Sequence, residues 1–388
     1  MREFNFYNPV ELIFGVGVLD KAGELSKRYG TKAFVITGRE SAKRYGYMEK
    51  LENSLKKANI EIIYIWEGIY TNPEDTLVNE IAEEVIRNKP DFLIGIGGGS
   101  VLDVTKAVSI VASNEGYAWD YVNYPEGPNA VPYLNIPVIC IPTTAGTGSE
   151  VNRYAVISNP KRKEKLVISH SLLYPKISFV DPFLLMSLSQ KLTALTAMDA
   201  FFHALESFTN KLENPLAEMY AIEAIKLIWK WLPVAYEEPE NLKARSFLAF
   251  ASTLGGYAID MKRVALIHGM EHPISAHYPK ITHPEGLCAL SLYVTKFNME
   301  RTKEKYEVIT DLLGYGRNFY KIIDILSYLL DRFDLPKNIR DLGVERNKIE
   351  RLAEDTFILS RRLLNINPRE PTLDDIVSMY EKAYEGEI

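Results

Sequence analysis

The chain is poor in the residues that mark several protein classes. It has only two cysteines, Cys140 and Cys288, far apart and set among apolar neighbours. No disulfide framework can be read from them, and they fit buried, inert thiols in a reducing compartment. No stretch approaches the ~20 apolar residues of a membrane-spanning helix. The opening MREFNFYNPVELIFG also lacks the uninterrupted apolar run of a signal peptide, so a cytoplasmic protein with no membrane partner is expected. An excess of one charge is missing too: the formal net charge is -6, acidic and basic residues are interspersed, and nothing suggests nucleic-acid binding. Gln190 is the only glutamine, whereas Lys, Glu, Ile and Tyr are plentiful, a bias that resembles thermophile composition.

What remains is the composition of an ordinary globular protein, 47% apolar and 25% charged, in a chain of 388 residues. That length exceeds what one core usually serves, so two domains are expected. Up to Pro182, apolar runs alternate with amphipathic segments: strands are predicted over 33–37, 60–69 and 92–96, and helices over 41–58 and 73–88, with Pro73 at the first helical position. This alternation implies an α/β domain with a parallel sheet covered on both faces. Short apolar runs after Ser149 read as further β-structure, and Asp181-Pro182 reads as a boundary. From about Leu184 onward, helix follows helix, at 193–210, 215–236, 242–261, 263–274, 288–298, 303–313, 319–333, 348–364 and 372–384. The expected architecture is therefore a Rossmann-like α/β domain at 1–182 and an all-helical domain at 183–388.

Two glycine-bearing turns follow predicted strands. Gly97-Gly98-Gly99-Ser100 lies between a strand and a helix start, where close backbone approach and unpaired amides suit a pyrophosphate. Pro142 to Glu150, PTTAGTGSE, offers small hydroxyl side chains that could bond phosphate or ribose. A tight turn and a solvated loop are the plainer readings. Neither is the GxGxxG fingerprint, so an ordinary Rossmann motif is not supported.

Histidine is scarce, and five of its six occurrences fall in two segments, TAMDAFFHALES (196–207) and HGMEHPISAHYPKITHPE (268–285). Asp199 and His203 are four apart and share a helix face; His268 and His272 repeat the spacing, and His283 follows in a Pro-bounded turn. One such pair alone reads as packing. A carboxylate with three imidazoles instead suits iron or zinc better than calcium, so Asp199, His203, His268 and His283 are the expected ligands, with one position open. His170 and His277 read as surface residues without a role. Ligands in one half and glycine turns in the other place the reacting centre in a cleft between domains.

Taken together, GGGSVLD (97–103), PTTAGTGSEV (142–151), MDAFFHALES and HGMEHPIS with His283 resemble the iron-containing (group III) alcohol dehydrogenase family over essentially the full length. The resemblance implies a metal held by Asp199, His203, His268 and His283, and cofactor contacts from Asn72, Gly98, Gly99, Ser100, Asp103, Thr143, Thr144, Thr147, Ser149 and Lys165. It places His272 beside the nicotinamide, where it would relay the hydroxyl proton of a primary alcohol as hydride moves between substrate and cofactor. NAD-preferring members carry Asp after the first strand; here that position is Gly38, followed by Arg39, Ser41 and Lys43, which would accept a 2′-phosphate and favour NADP(H) over NAD(H). The metal is expected to be Fe2+, or Zn2+ if the chain is a glycerol or polyol dehydrogenase. A dehydroquinate-synthase-like lyase would need more cationic residues than the segment after His203 offers. The implied partner is a small alcohol or aldehyde, and a homo-oligomer is compatible with the sequence.

Overall fold

A computed structural model describes residues 3–39 and 41–388; the Ser41 side chain, expected above to meet a 2′-phosphate, lies outside the described residues. Among the described residues the first half holds strands β1 (Glu11–Phe14), β2 (Lys32–Gly38), β3 (Glu61–Ile69), β4 (Phe92–Gly97), β5 (Val138–Pro142), β6 (Tyr154–Asn159), β7 (Glu164–Ser169) and β8 (Ile177–Val180), and helices α1 (Ala22–Ser26), α2 (Ser41–Arg44), α3 (Tyr47–Lys57), α4 (Asp75–Asn88) and α5 (Gly99–Val111). Six strands form one sheet in the order β1-β8-β5-β4-β2-β3, all pairings parallel, while β6 and β7 form an antiparallel hairpin. Successive side chains face opposite sides of a strand. Phe34, Ile36 and Leu93 accordingly join a core with α4 and α5, and Ala33, Val35, Ile94 and Ile96 join another with α3.

The order reverses between β2 and β4, so the crevice at their carboxyl ends is a topological switch point, where ligands of open α/β sheets bind. The glycines of FLIGIG bring α5 down onto that point. A Cβ on Gly95 would lie 2.6 Å from Thr105 Oγ1, and one on Gly97 2.4 Å from Val101 Cγ2. No larger residue lets α5 start directly above the strand end.

The second half is helical: α6 (Gln190–Thr209), α7 (Pro215–Glu237), α8 (Leu242–Lys262), α9 (Leu266–His277), α10 (His283–Asn298), α11 (Lys303–Leu312), α12 (Lys321–Arg332), α13 (Ile349–Leu359), α14 (Arg361–Ile366) and α15 (Leu373–Glu385). α6 starts where the Ser189 side chain accepts the Leu192 amide, and every residue from Thr193 to Thr209 is buried. A helix apolar on all sides belongs at the centre of a bundle, and α6 packs against α7, α8, α9 and α10. The charges it carries are therefore conspicuous.

Several boundaries differ from expectation. β1 escaped notice because four residues show no usable period; it exists by pairing with β8. The helix expected over 41–58 is broken at Gly46, whose φ of 73° ends α2 before α3. Pro73 precedes α4 rather than opening it, because Glu74 is the N-cap and Pro73 O accepts the Ser158 amide. The helix expected over 348–364 is interrupted at Ser360. His283 is not in a turn: it is the first residue of α10, N-capped by a Thr282/Glu285 capping box. His277 is no surface residue, since its Nε2 meets Asp355 Oδ2 at 2.8 Å and both side chains are buried. Cys140 and Cys288 are free and buried as expected, and burial pushes the Cys140 thiol up to about 12.

Candidate metal centre and cofactor cleft

α6 presents Asp199, His203 and Glu206 on one stripe, at i, i+4 and i+7, all buried. α9 presents His268, Glu271 and His272 on one stripe, and the capped start of α10 brings in His283. The three elements converge on one atom: Asp199 Oδ1 lies 3.6 Å from His203 Nε2, 4.0 Å from His268 Nε2 and 3.9 Å from His283 Nε2. Donors bound about 2.0–2.2 Å from one tetrahedral ion stand roughly 3.3–3.6 Å apart; Asp199, His268 and His283 offer ligand atoms all within 4.8 Å of one another, and His203 joins this trio through its contact with Asp199.

The other ring nitrogens fix how these imidazoles point. His203 Nδ1 faces the carbonyl of Gly146 at 3.2 Å, His268 Nδ1 faces Glu206 Oε2, and His283 Nδ1 faces Glu271 Oε2. A carbonyl can only accept, and Glu206 also accepts the Ile267 amide. Each ring therefore donates from Nδ1 and leaves a bare Nε2 lone pair toward Asp199, the arrangement that orients metal-binding histidines. Burial, helped by His203, lowers the His268 pKa to about 3, and burial and Lys165 push His283 well below its usual range. Neutral imidazole is the metal-binding form.

Asp199 Oδ1 and His268 Nε2 are buried and, among the described residues, have no hydrogen-bond partner. Two acceptor atoms facing each other without a donor cost at least about 1–3 kcal/mol apiece. A divalent cation among them removes that penalty, so the donor set fits the group.

One cavity of about 350 Å³ joins this cluster to the first glycine turn. Its lining includes Asn72, Gly99, Ser100, Asp103, Thr147, Ser149 and Lys165 from the first half and Asp199, His203, His268, His272 and His283 from the second. Gly98 is the extended N-cap of α5 and supplies no side-chain cap; its carbonyl takes the Val101 amide, which leaves those of Gly99 and Ser100 open to an anion. A Cβ on Gly99 would sit 2.3 Å from Thr147 Cγ2, and one on Gly98 3.3 Å from Thr144 Cγ2, so the two turns pack together as a single seat.

Not every expected cofactor contact is free to serve. Asp103 accepts the Ser149 hydroxyl at 2.5 Å and the Val156 amide at 3.0 Å. Asn72 donates to the carbonyls of Pro279 and Ile281 and accepts from Lys165 Nζ at 3.0 Å. Asp103, Ser149, Asn72 and Lys165 all line the cavity, but these polar atoms are spent on holding its walls. Thr143 is buried, its amide bonded to the Gly97 carbonyl, and with Thr144, Gly98, Gly38 and Lys43 it lies outside the cavity lining. Gly38 ends β2 at the switch point, while Lys43 is paired with Glu67 on β3.

His272 lines the cavity, and among the described residues no protein group is hydrogen-bonded to its ring. Burial first, then Lys165, pushes its pKa well below the ordinary value, so the ring is held neutral and would readily pass on any proton it received. Sequence reasoning missed Gly146, Glu206 and Glu271. Two of these carried a signal: Glu206 lies at i+7 on the Asp199–His203 stripe, and Glu271 at i+3 on the His268–His272 stripe.

The sequence pattern described as "Iron-containing alcohol dehydrogenase" matches residues 9–182, and that described as "Fe-containing alcohol dehydrogenase family, C-terminal" matches residues 193–384. The NAD-dependent methanol dehydrogenase of Bacillus methanolicus is 31% identical over 388 residues, covering 98% of this chain and 99% of that protein. The 1,3-propanediol dehydrogenase of Citrobacter freundii is 31% identical and covers 99% of each. Among solved structures, an archaeal halo-thermophilic alcohol dehydrogenase from a Red Sea brine pool superposes with a TM-score of 0.94 at 33% identity, covering 99% of this chain and 100% of that one.

Proposed function

Because the chain belongs to the iron-containing alcohol dehydrogenase family, we propose that it interconverts primary alcohols and aldehydes by hydride exchange with a nicotinamide cofactor, in a cleft between domains at 1–182 and 183–388. One observation carries the reading: three imidazole nitrogens converge on Asp199 Oδ1 inside the cavity that also reaches the glycine turn. Asp199, His203, His268 and His283 would hold the metal, iron first and zinc second. Gly99, Ser100 and Thr147, with the amides of the α5 start, would seat the pyrophosphate. When bound, the cation supplies Lewis-acid polarisation of the substrate oxygen and the dinucleotide supplies the hydride chemistry.

The chain's own residues do the rest. Gly146, Glu206 and Glu271 hold the three imidazoles in the tautomer that binds a cation. His272, neutral and, among the described residues, without a hydrogen-bond partner, would accept the hydroxyl proton of the alcohol and return it in the reverse direction. Ile259, Val167 and Leu359 line the cavity with apolar surface that limits water. The long bundle helices place the histidines on rigid supports, so their geometry is set before substrate arrives.

Of the two nicotinamides, NADP(H) is placed first on the residues that end β2. Gly38 offers no carboxylate to repel a 2′-phosphate, and the Arg39 guanidinium stands over the Tyr70 ring at the same sheet edge, 5.6 Å from its centroid. Lys43 adds less, because its ammonium is paired with Glu67. The relative from Bacillus methanolicus is named NAD-dependent, so this finer reading rests on Gly38 and Arg39 alone. Metal analysis of anaerobically purified protein, with a panel of alcohols and aldehydes against both cofactors, tests the whole. Metal-dependent turnover of simple primary alcohols supports it, and turnover confined to polyols or absent altogether contradicts it.

A further inference from the structure

We propose that Glu271 is a positioning residue that locks the ligand His283 in place and, through Lys165 and Asn72, fastens the metal centre to the α/β half of the molecule. The inference rests on the metal site of the function proposed above. Glu271 is fully buried on α9, between the two histidines of HGMEH and outside the expected ligand set. Its Oε2 meets His283 Nδ1 and, at 3.4 Å, Lys165 Nζ; its Oε1 accepts the Ser275 hydroxyl. Lys165, on β7, also donates to Asn72 Oδ1 at 3.0 Å. Asn72 in turn holds the carbonyls of Pro279 and Ile281, in the loop that delivers His283 to the start of α10.

The contacts form a closed circuit. The ring of His283 is held from below by Glu271 and its backbone approach by Asn72, and Lys165 joins the two. The packing leaves room for little else: a Cβ on Gly286 would lie 2.8 Å from Glu271 Cγ, so α10 approaches α9 closely only because that position is glycine. His203 and His268 depend on acceptors without such a circuit, Gly146 O and Glu206. Of these three acceptors, and among the described residues, only that of His283 is shared with a cation from the other half of the chain.

Glu271, His272 and His283 also offer ligand atoms within 4.8 Å of one another, which raises the possibility of a second cation. Lys165 Nζ stands 3.4 Å from both Glu271 Oε2 and His283 Nδ1, and its charge repels one. Glu271 is therefore assigned to orientation, and a single ion per chain is expected.

The test uses the full-length chain, titrated with Co2+ in competition with a chelator and followed by the visible spectrum of the bound ion. Glu271→Gln is expected to bind Co2+ about 10–100-fold more weakly, the usual effect of losing an outer partner of a ligand, with a changed spectrum. Should a lone substitution fail to fold, the double variant Lys165→Met/Glu271→Leu removes both buried charges together, which proteins tolerate well, and the same loss of affinity is expected. Affinity within twofold of the parent in the folded variant, with an unchanged spectrum, overturns the proposal, as does a stoichiometry of two ions per chain. None of these readouts depends on alcohol turnover, so a failure of the proposed function would be seen separately.

Discussion

Gly148 and Gly256 face each other across the seam between loop and bundle so closely that neither can carry a side chain. A Cβ on Gly148 would lie 2.3 Å from Gly256 Cα, and one on Gly256 would lie 2.5 Å from Gly148 O. The loop that begins with the PTTAG turn thus rests directly on α8, and the same loop turns the Gly146 carbonyl toward His203. Contacts between two backbones cannot be relieved by a rotamer change. Alanine at position 256 would gain about 1 kcal/mol of helix propensity, but overpacking against rigid backbone typically costs about 1–3 kcal/mol. Gly256→Ala is therefore expected to lower the thermal midpoint and the activity together; an unchanged or higher midpoint would contradict this packing.

Removing the atom on which the site converges should empty it. Asp199→Ala deletes the Oδ1 that stands 3.6–4.0 Å from three imidazole nitrogens. Metal per chain, measured by elemental analysis after dialysis, is expected to fall from about one to near zero, while the fold persists because the variant removes an unsatisfied buried carboxylate.

This part of the site was legible because its logic is local. Asp199 and His203 fall one turn apart on a helix whose apolar residues announce it, and FLIGIGGGS joins a buried strand to a helix start within a few residues. The partners that orient the expected ligands are not local. Gly146 and His203 are 57 residues apart, and Lys165 and Glu271 are 106 apart. No period in the chain links such pairs; only the fold brings them together. The status of His283 was obscured for a similar reason, since Pro284 reads as a turn signal until the Thr282/Glu285 capping box shows that it opens a helix.

Among the described residues, His272 differs from its neighbours in having no hydrogen-bond partner for its ring, which lies beside that of His283. His272→Ala is expected to lower kcat by about 10²–10⁴-fold, the usual span for loss of a general base, and to leave metal content unchanged. Loss of the metal would instead place His272 among the ligands.

Cofactor choice can be addressed at Gly38. A Cβ there would meet only Ile69 O at 3.8 Å and Val101 Cγ2 at 4.0 Å, so a side chain fits without strain. Gly38→Asp introduces a carboxylate where a 2′-phosphate is expected. The KM for NADP should rise at least about tenfold, as expected for a like-charge contact of about 1.4 kcal/mol, and the KM for NAD should fall or stay level. Equal effects on both cofactors would remove Gly38 from the specificity argument.

A pH signature is expected away from the metal. Asp260 is buried beside the Tyr174 hydroxyl at 2.7 Å and within 4.0 Å of the Arg153 guanidinium, and burial, the largest influence, raises its pKa above 3.8. A carboxyl raised on folding binds its proton more tightly in the folded state, so its stabilising contribution is full below 3.8 and is lost as pH climbs through the raised value. The thermal midpoint of the parent should therefore fall relative to Asp260→Asn across that window, from acid toward neutral pH. A constant difference would show that the charge of Asp260 is compensated.

The central claim is that one cation held by Asp199, His203, His268 and His283 serves hydride exchange between an alcohol and a nicotinamide bound in the same cleft. Its most direct test follows nicotinamide absorbance on mixing full-length protein with a primary alcohol and NADP+, first after chelator treatment and then after Fe2+ is restored. The account predicts no reduction from the stripped protein and alcohol-dependent reduction once the metal returns. Undiminished reduction by the stripped protein, or none with metal present, would contradict it.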